Sequence, residues 1–312
     1  MFVDLKEQYR KSLKSSDTEE HIDLAFYRPI GFAWAYLFRR IGVTPNAVTI
    51  ASIFLGVGAG ICFYYNDLWI NVIGMLLLIW ANTFDSCDGQ LARLTGNYSP
   101  IGRILDGISG DLWFFTIYAS ICLRMNAVDP FFSAHPWLIW TIAAITGVCH
   151  GKQAAMADYY RQFHLLHVKG KEGSELDRSA DLEPRLNALS WSKDFRRKIV
   201  LYFYTQYTRN QEATTPAMQR LRATTAERWG DEELPTALRQ DFRAASLPLM
   251  KYTNILSFNW RTIALFASLF AGMPYLYFVF ELVVLNALLI YMVRRHESIC
   301  RHFTCDIEQG KY

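Results

Sequence analysis

The sequence predicts an all-α membrane protein: six transmembrane helices preceded by an interfacial amphipathic helix, with a helical cytoplasmic insertion between helices 4 and 5. Composition is the first observation, since 52% of the 312 residues are hydrophobic and 15% aromatic, heavy for a soluble chain of this length. The second is distribution. The apolar residues gather into six blocks near the ~20 residues that a helix needs to cross the hydrocarbon core. The third is charge, because Lys and Arg flank one set of block ends and avoid the other.

Along the chain, residues 1–20 are polar and charged and are expected to fray. Pro29–Ile41 is too short to span, but its aromatic content and terminal arginines suit a helix lying in the interface, within an N-terminal region 1–43. Thr44–Tyr65 and Leu68–Phe84 form the first two spans, a hairpin closed by Asn66 and Asp67. Gly102–Leu123 and Trp137–Ala157 follow, so that region 44–159 holds four spans. The mostly polar stretch 160–250, punctuated by Gly170, Gly173, Pro184, Pro216, Gly230, Pro235 and Pro248, is the insertion. Within it Ile199–Tyr204 is strongly apolar yet short, and is expected to pack on the body or on the membrane surface. Ile255–Ala271 and Tyr275–Val293, hinged at Gly272 to Pro274, complete the spans in region 251–295, and 296–312 is a tail.

Orientation follows from the cations. The turns at Asn66 and Met273 carry no Lys or Arg, and Arg124 is the one cation near the third connection. Arg39, Arg40, Arg93, Arg103, Lys152, Arg161, Arg294 and Arg295 flank the opposite ends, so both termini are expected on the cytoplasmic side, of the inner membrane if the source is bacterial. No cleavable signal peptide is expected in the charged first forty residues. A net charge of +3 gives no case for nucleic acid. Six cysteines without C-x-x-C spacing indicate reduced thiols rather than a disulfide framework or a zinc site. No internal repeat is visible, which argues against an inverted-repeat transporter.

At the end of the second block stands Asp85-Ser-Cys-Asp88-Gly89-Gln-Leu-Ala92-Arg93. Its two acids, glycine, alanine and arginine fall three, four, seven and eight residues from Asp85, which puts them on one helical face. Gly102, Asp106 and Gly110 recur at spacings of four at the start of the third block, with Asp111 next. Acids at membrane depth are costly and mark function or specific pairing. Four carboxylates could hold hard divalent cations such as Mg²⁺ or Mn²⁺, two ions suiting displacement at phosphorus. Small residues at 89, 92 and 102 would let a nucleotide approach the backbone, and Arg93 could pair with phosphate oxygens.

This pattern resembles that of the CDP-alcohol phosphatidyltransferases, D-x2-D-G-x2-A-R-x8-G-x3-D-x3-D, with every spacing kept from Asp85 through Asp106. The six-span layout, the interfacial helix and Thr44-Pro45-Asn46 at the first span extend the resemblance. It implies that Asp85, Asp88, Asp106 and Asp111 ligate metal and that Asp111 acts as general base. It also implies that Asp85, Gly89, Ala92, Arg93, Ser99 and Gly102 hold the CDP group. The reaction so implied moves a phosphatidyl group from CDP-diacylglycerol to a polar alcohol, inositol or inositol phosphate being favoured, with release of CMP. Related enzymes are commonly dimers. Alternatives are a CDP-ethanolamine or CDP-choline phosphotransferase acting on a lipid alcohol, and a non-catalytic lipid or nucleotide binder. One departure stands out: the last aspartate belongs at 110, where this chain has glycine, and sits at 111 instead. A single-residue π-bulge within Gly107–Gly110 is expected to restore its direction, with Asp158 as the substitute base. Lys152 and Arg261 are expected to bind an acceptor that bears phosphate, positive-inside anchoring being the plain alternative. His150, Glu281 and Asn286 read as hydrogen-bonding residues of helices.

Overall fold

The computed structural model describes residues 2–312 except 14, 16, 171, 172, 175 and 231, and of residues 2–5, 100, 101, 103 and 104 the backbone alone. The Arg103 side chain, counted above among the flanking cations, lies outside the described residues. Among the described residues there is no strand. The helices in chain order are α1 (Phe2–Ser12), α2 (Arg28–Ile41), α3 (Pro45–Cys62), α4 (Leu68–Thr95), α5 (Pro100–Val128), α6 (Pro130–Ala134) and α7 (Pro136–Lys169). They continue as α8 (Ser179–Ala188), α9 (Phe195–Thr214), α10 (Pro216–Trp229), α11 (Thr236–Ile255), α12 (Phe258–Phe270), α13 (Leu276–Val279) and α14 (Asn286–Glu308). A π-helical turn, Asp23–Tyr27, leads into α2, and another, Phe280–Leu285, joins α13 to α14.

Three helices among the described residues are long and apolar enough to cross a membrane: Pro45–Cys62, Leu68–Thr95 and the continuous Leu276–Glu308. The other expected spans coincide with α5, α7 and α12. Helices α5 and α7 have the length, with 29 and 34 residues, but polar residues interrupt them. Helix α12 has 13 residues, a rise of about 20 Å against a hydrocarbon core of about 30 Å.

The chain divides into two compact units. The first comprises residues 1–149 and 259–282. Its helices start where the sequence supplies caps: Thr44 accepts from the Ala47 N–H, Asp67 from Ile70 and Ser99 from Gly102. Proline follows Thr44 and Ser99 at the first helical position, where its missing N–H costs nothing. Helices α3, α4 and α5 pack at short range because glycine occupies the contacts. A Cβ on Gly56 would stand 2.2 Å from Cδ1 of buried Trp113, and one on Gly60 2.8 Å from Cγ2 of Thr116, both on α5. On α4, Gly74 takes Phe63 and Cys62 in the same way. The far end is tied by Arg124, which is buried and donates to the Phe63 carbonyl at 3.3 Å, to Asn71 Oδ1 at 3.3 Å and to Asn66 Oδ1 at 2.7 Å. The cation expected at that connection therefore closes the α3–α4 hairpin. Helix α2 lies against α4 through Ala35, Cys87 and Leu91, with Val48 of α3 in the same cluster and Trp34, Phe38 and Phe84 around them.

Among the described residues of 1–20, the fraying expected from the sequence is not what the backbone shows. Helix α1 forms, and its last residue, Ser12, is fully buried because polar groups of α4 reach it.

The second unit comprises residues 150–258 and 283–312. The polar insertion is helical, and α10 rests on α14, where the buried Glu297 carboxylate accepts the N–H groups of Ala217 at 2.8 Å and Met218 at 3.1 Å. A carboxylate at a helix start satisfies orphan donors and complements the dipole. His296 stacks on Tyr160 at 4.0 Å, and His164 meets Ser246 at 2.7 Å.

Gly56→Ala is expected to lower stability by about 1–3 kcal/mol, since Trp113 has no space to retreat. Gly58→Ala, whose Cβ would meet Leu77 at an ordinary 3.7 Å, serves as comparator. Thermal unfolding in detergent reads both, and equal midpoints would show that the α3–α5 contact is looser than described.

Candidate metal centre

Asp85 and Asp88 lie one turn apart on α4, and Asp106 faces them from the first turns of α5. One carboxylate oxygen from each lies within 4.8 Å of the other two. Asp88 is buried, Asp85 half-buried and Asp106 exposed, so the group opens on one side. Hard oxygen donors at this separation, in charged form, fit a divalent cation such as Mg²⁺ or Mn²⁺.

Neighbours hold these carboxylates in place. Thr49, buried on α3, donates to Asp88 Oδ2 at 2.5 Å. Ser109, one turn beyond Asp106, donates to Asp85 Oδ1 at 3.2 Å and lies 2.8 Å from the Asp106 carbonyl. Nothing in the motif spacing singles out Thr49 or Ser109. Their signal is a hydroxyl inside an apolar run, four and three residues from motif positions Pro45 and Asp106.

Other expected site residues have partners within the fold. Ser99 caps α5 through Gly102 N–H at 2.8 Å and donates to Asn46 Oδ1 at 3.1 Å. Gly102 is small because Asn46 lies on it: a Cβ there would fall 2.4 Å from Asn46 Oδ1. Arg93 folds back over Gly89, where a Cβ would lie 3.6 Å from both terminal guanidinium nitrogens, and its Nε donates to the Ser12 carbonyl at 2.5 Å. Ala92 is half-buried beside it. Gln90, between the motif positions, donates to Ser12 Oγ at 3.1 Å and to the Arg28 carbonyl at 3.2 Å, and Arg28 pairs with Glu19 at 2.9 Å. The N-terminal segment thus straps the polar face of α4, a role that a charged, proline-poor run does not announce.

The expected π-bulge is absent. Helix α5 is regular from Pro100 to Val128, and Asp111 is exposed and outside the group of three. Five residues of regular helix turn its carboxylate about 140° from Asp106. Arg261 is 1% exposed and paired with Glu281, which is 0% exposed and also takes the Tyr277 hydroxyl at 2.6 Å. Its guanidinium is engaged inside the fold rather than presented to an acceptor. In the second unit, Lys152 donates to Asn210 Oδ1 at 2.7 Å and Thr214 Oγ1 at 2.5 Å, and Asn286 accepts from Gln153 at 2.8 Å. Asp158 is exposed on α7 and His150 half-buried.

With purified protein stripped of metal, Asp88→Asn is expected to lose Mn²⁺ binding and Thr49→Val to weaken it about tenfold, read by titration with Mn²⁺ resonance detection. Unchanged affinity in Asp88→Asn would remove the metal from this site. Arg261→Met should cost about 3–5 kcal/mol in unfolding by stranding Glu281. A stable variant with a raised KM for acceptor alone would instead restore the expected binding role.

Comparison with known proteins gives one family. The CDP-alcohol phosphatidyltransferase family model matches residues 42–162. A CDP-diacylglycerol–glycerol-3-phosphate 3-phosphatidyltransferase of Cereibacter sphaeroides is 28% identical over 102 residues, 32% of this chain and 43% of that protein. An archaetidylinositol phosphate synthase of Aeropyrum pernix is 34% identical over 88 residues, 27% of this chain and 44% of that protein. The chain therefore spans less than half the length of these curated relatives.

Proposed function

We infer that residues 42–162 belong to the CDP-alcohol phosphatidyltransferase family, a family of enzymes, and from that premise we propose that this membrane protein transfers a phosphatidyl group from CDP-diacylglycerol to a polar alcohol. The observation that carries the proposal is the convergence of Asp85, Asp88 and Asp106. The favoured acceptor is inositol or inositol phosphate. The relatives whose names mention glycerol 3-phosphate and inositol phosphate support a phosphorylated polyol. In this reading six helices span the bilayer, α2 lies along the interface, and the carboxylates stand on the cytoplasmic side.

A divalent cation, or a pair, held by the three carboxylates would neutralise the diphosphate and polarise the phosphorus under attack. The protein's own groups do the rest. The acceptor oxygen bonds to the phosphatidyl phosphorus, the bond to the CMP oxygen breaks, and CMP leaves. Asp106, the exposed member of the three, is placed to receive the acceptor proton at a carboxylate oxygen. This assignment passes over Asp111, whose direction on a regular helix is wrong for the role. Arg93 binds phosphate oxygens: its present acceptor, the Ser12 carbonyl, is neutral, and a charged phosphate offers a hydrogen bond roughly twice as strong. Gly89 leaves the backbone open beneath it.

The test is a CMP-release assay on purified protein with Mg²⁺ or Mn²⁺, CDP-diacylglycerol and a panel of acceptors. Turnover is expected with one of inositol, inositol phosphate or glycerol phosphate. Asp88→Asn should reduce it by about a thousandfold or more, while Asp111→Asn stays within about threefold. Equal losses in the two variants would mean that α5 rewinds in the working enzyme. CMP released from CDP-ethanolamine and diacylglycerol, with none from CDP-diacylglycerol, would reverse donor and acceptor. Nucleotide binding without turnover across the panel would make the chain a binder.

A further inference from the structure

The second unit exposes an aromatic and cationic face that the transfer reaction does not use. Arg196, Val200, Phe203 and Tyr207 follow one another on α9 at spacings of four, three and four, which aligns them on one side of the helix. All four are exposed, Phe203 by 64% and Val200 by 53%. Phe195 and Tyr202 flank the row on one side and Arg197 and Tyr204 on the other, and these too are exposed. Trp191 and Lys193, in the turn before α9, extend the surface. Thr205, on the opposite side of α9, and Thr208, at its flank, are buried within the unit, and Gln211, one turn beyond Tyr207, is buried as well, so the outward aromatic row ends at Tyr207.

We propose that this face of α9 docks on an anionic lipid surface, the aromatic rings entering the headgroup layer and Lys193, Arg196 and Arg197 meeting lipid phosphates. Charge decides the occupant. From Ser190 to Asn210 the chain carries Lys193, Arg196, Arg197, Lys198 and Arg209 against a single acid, Asp194, whose carboxylate accepts the Ser190 N–H at 3.2 Å; Arg209 pairs with Glu183 and Lys198 donates to the Leu189 carbonyl at 2.6 Å, which leaves Lys193, Arg196 and Arg197 as the cations of this face. Aromatic residues of amphipathic shape beside cations match the boundary between headgroups and acyl chains better than water or a protein interior. The same unit contains all of α14, part of a helix apolar enough to cross a bilayer, so a lipid surface is held at high local concentration. Each cation brought to an anionic surface strengthens docking about fivefold, and salt screens that attraction. The proposal needs membrane insertion only and stands apart from the transfer reaction.

The test places a fluorophore on Phe203→Cys in the full chain, reconstituted in nanodiscs of phosphatidylcholine alone or with about 30% phosphatidylglycerol, and reads quenching by brominated lipid. The unsubstituted chain, in which Cys305 is exposed, gives the labelling background. Quenching is expected to rise at least about twofold in the anionic discs and to fall with added salt. The variant with Gln at Lys193, Arg196 and Arg197 should lose the rise while keeping its thermal midpoint. Absence of quenching, or equal quenching in both discs without a salt effect, would overturn the proposal. Crosslinking of position 203 to a second copy would also overturn it, assigning the face to self-association. The salt titration uses the charge-intact chain, so the result stands even if the triple variant fails to fold.

Discussion

Like charges resist being gathered, and the first unit gathers three. Carboxylates within 4.8 Å of one another repel, in charged form and without a counter-ion, on the order of a few kcal/mol per pair near a protein surface. No local preference of α4 or α5 produces that arrangement. It depends on the two helices being brought together by a third, α3, whose Gly56 and Gly60 accept Trp113 and Thr116 of α5 and whose Thr49 reaches across to Asp88 of α4. The glycines matter here for the volume they lack rather than for backbone freedom. Tight packing between apolar helices therefore holds a polar constellation that would otherwise open.

The aspartates were legible in the sequence because their spacing converts directly into a helical face. Asp85 and Asp88 share a turn, and the two stretches of motif meet across the α4–α5 turn at Gly96. The all-helical character and three apolar spans were legible for the same reason: length and hydropathy need no tertiary information. Pairings were not legible. Arg261 reads as a free cation near a span end, and only the fold shows that Glu281, twenty residues later, faces it through the π-helical turn at Phe280–Leu285. Ser99 and Gly102 read as nucleotide contacts, and the structure gives them further duties that spacing does not reveal, a helix cap and the seat of the Asn46 side chain.

The N-terminal strap shows how polar residues in a charged segment acquire order from partners distant in sequence. Glu19 pairs with Arg28, Glu20 and Asp23 accept from Asn259, and Ser12 receives Gln90 and Arg93. Each bond alone contributes about 1 kcal/mol, more where a charge takes part. Together they cover the polar side of α4, whose buried Gln90 would otherwise lack partners within a largely apolar helix. Nothing in residues 1–20 taken alone encodes that docking.

The regularity of α5 has a physical origin in its two anchors. At one end Gly102 carries Asn46, with 2.4 Å from its absent Cβ to the amide oxygen. At the other, Trp113 fills the space above Gly56. Both partners belong to the single helix α3, so the rise and rotation of α5 between 102 and 113 are fixed by the rise and rotation of α3 between 46 and 56. An extra residue absorbed as a π-bulge would rotate everything after it by about 100°, and Trp113 would leave its slot. Redirecting one carboxylate would thus expose a fully packed indole, a cost of several kcal/mol that a local helix defect does not offset. The shift of the last aspartate from 110 to 111 accordingly leaves it facing away, and the acids that remain together are those that the α3 contacts hold in register.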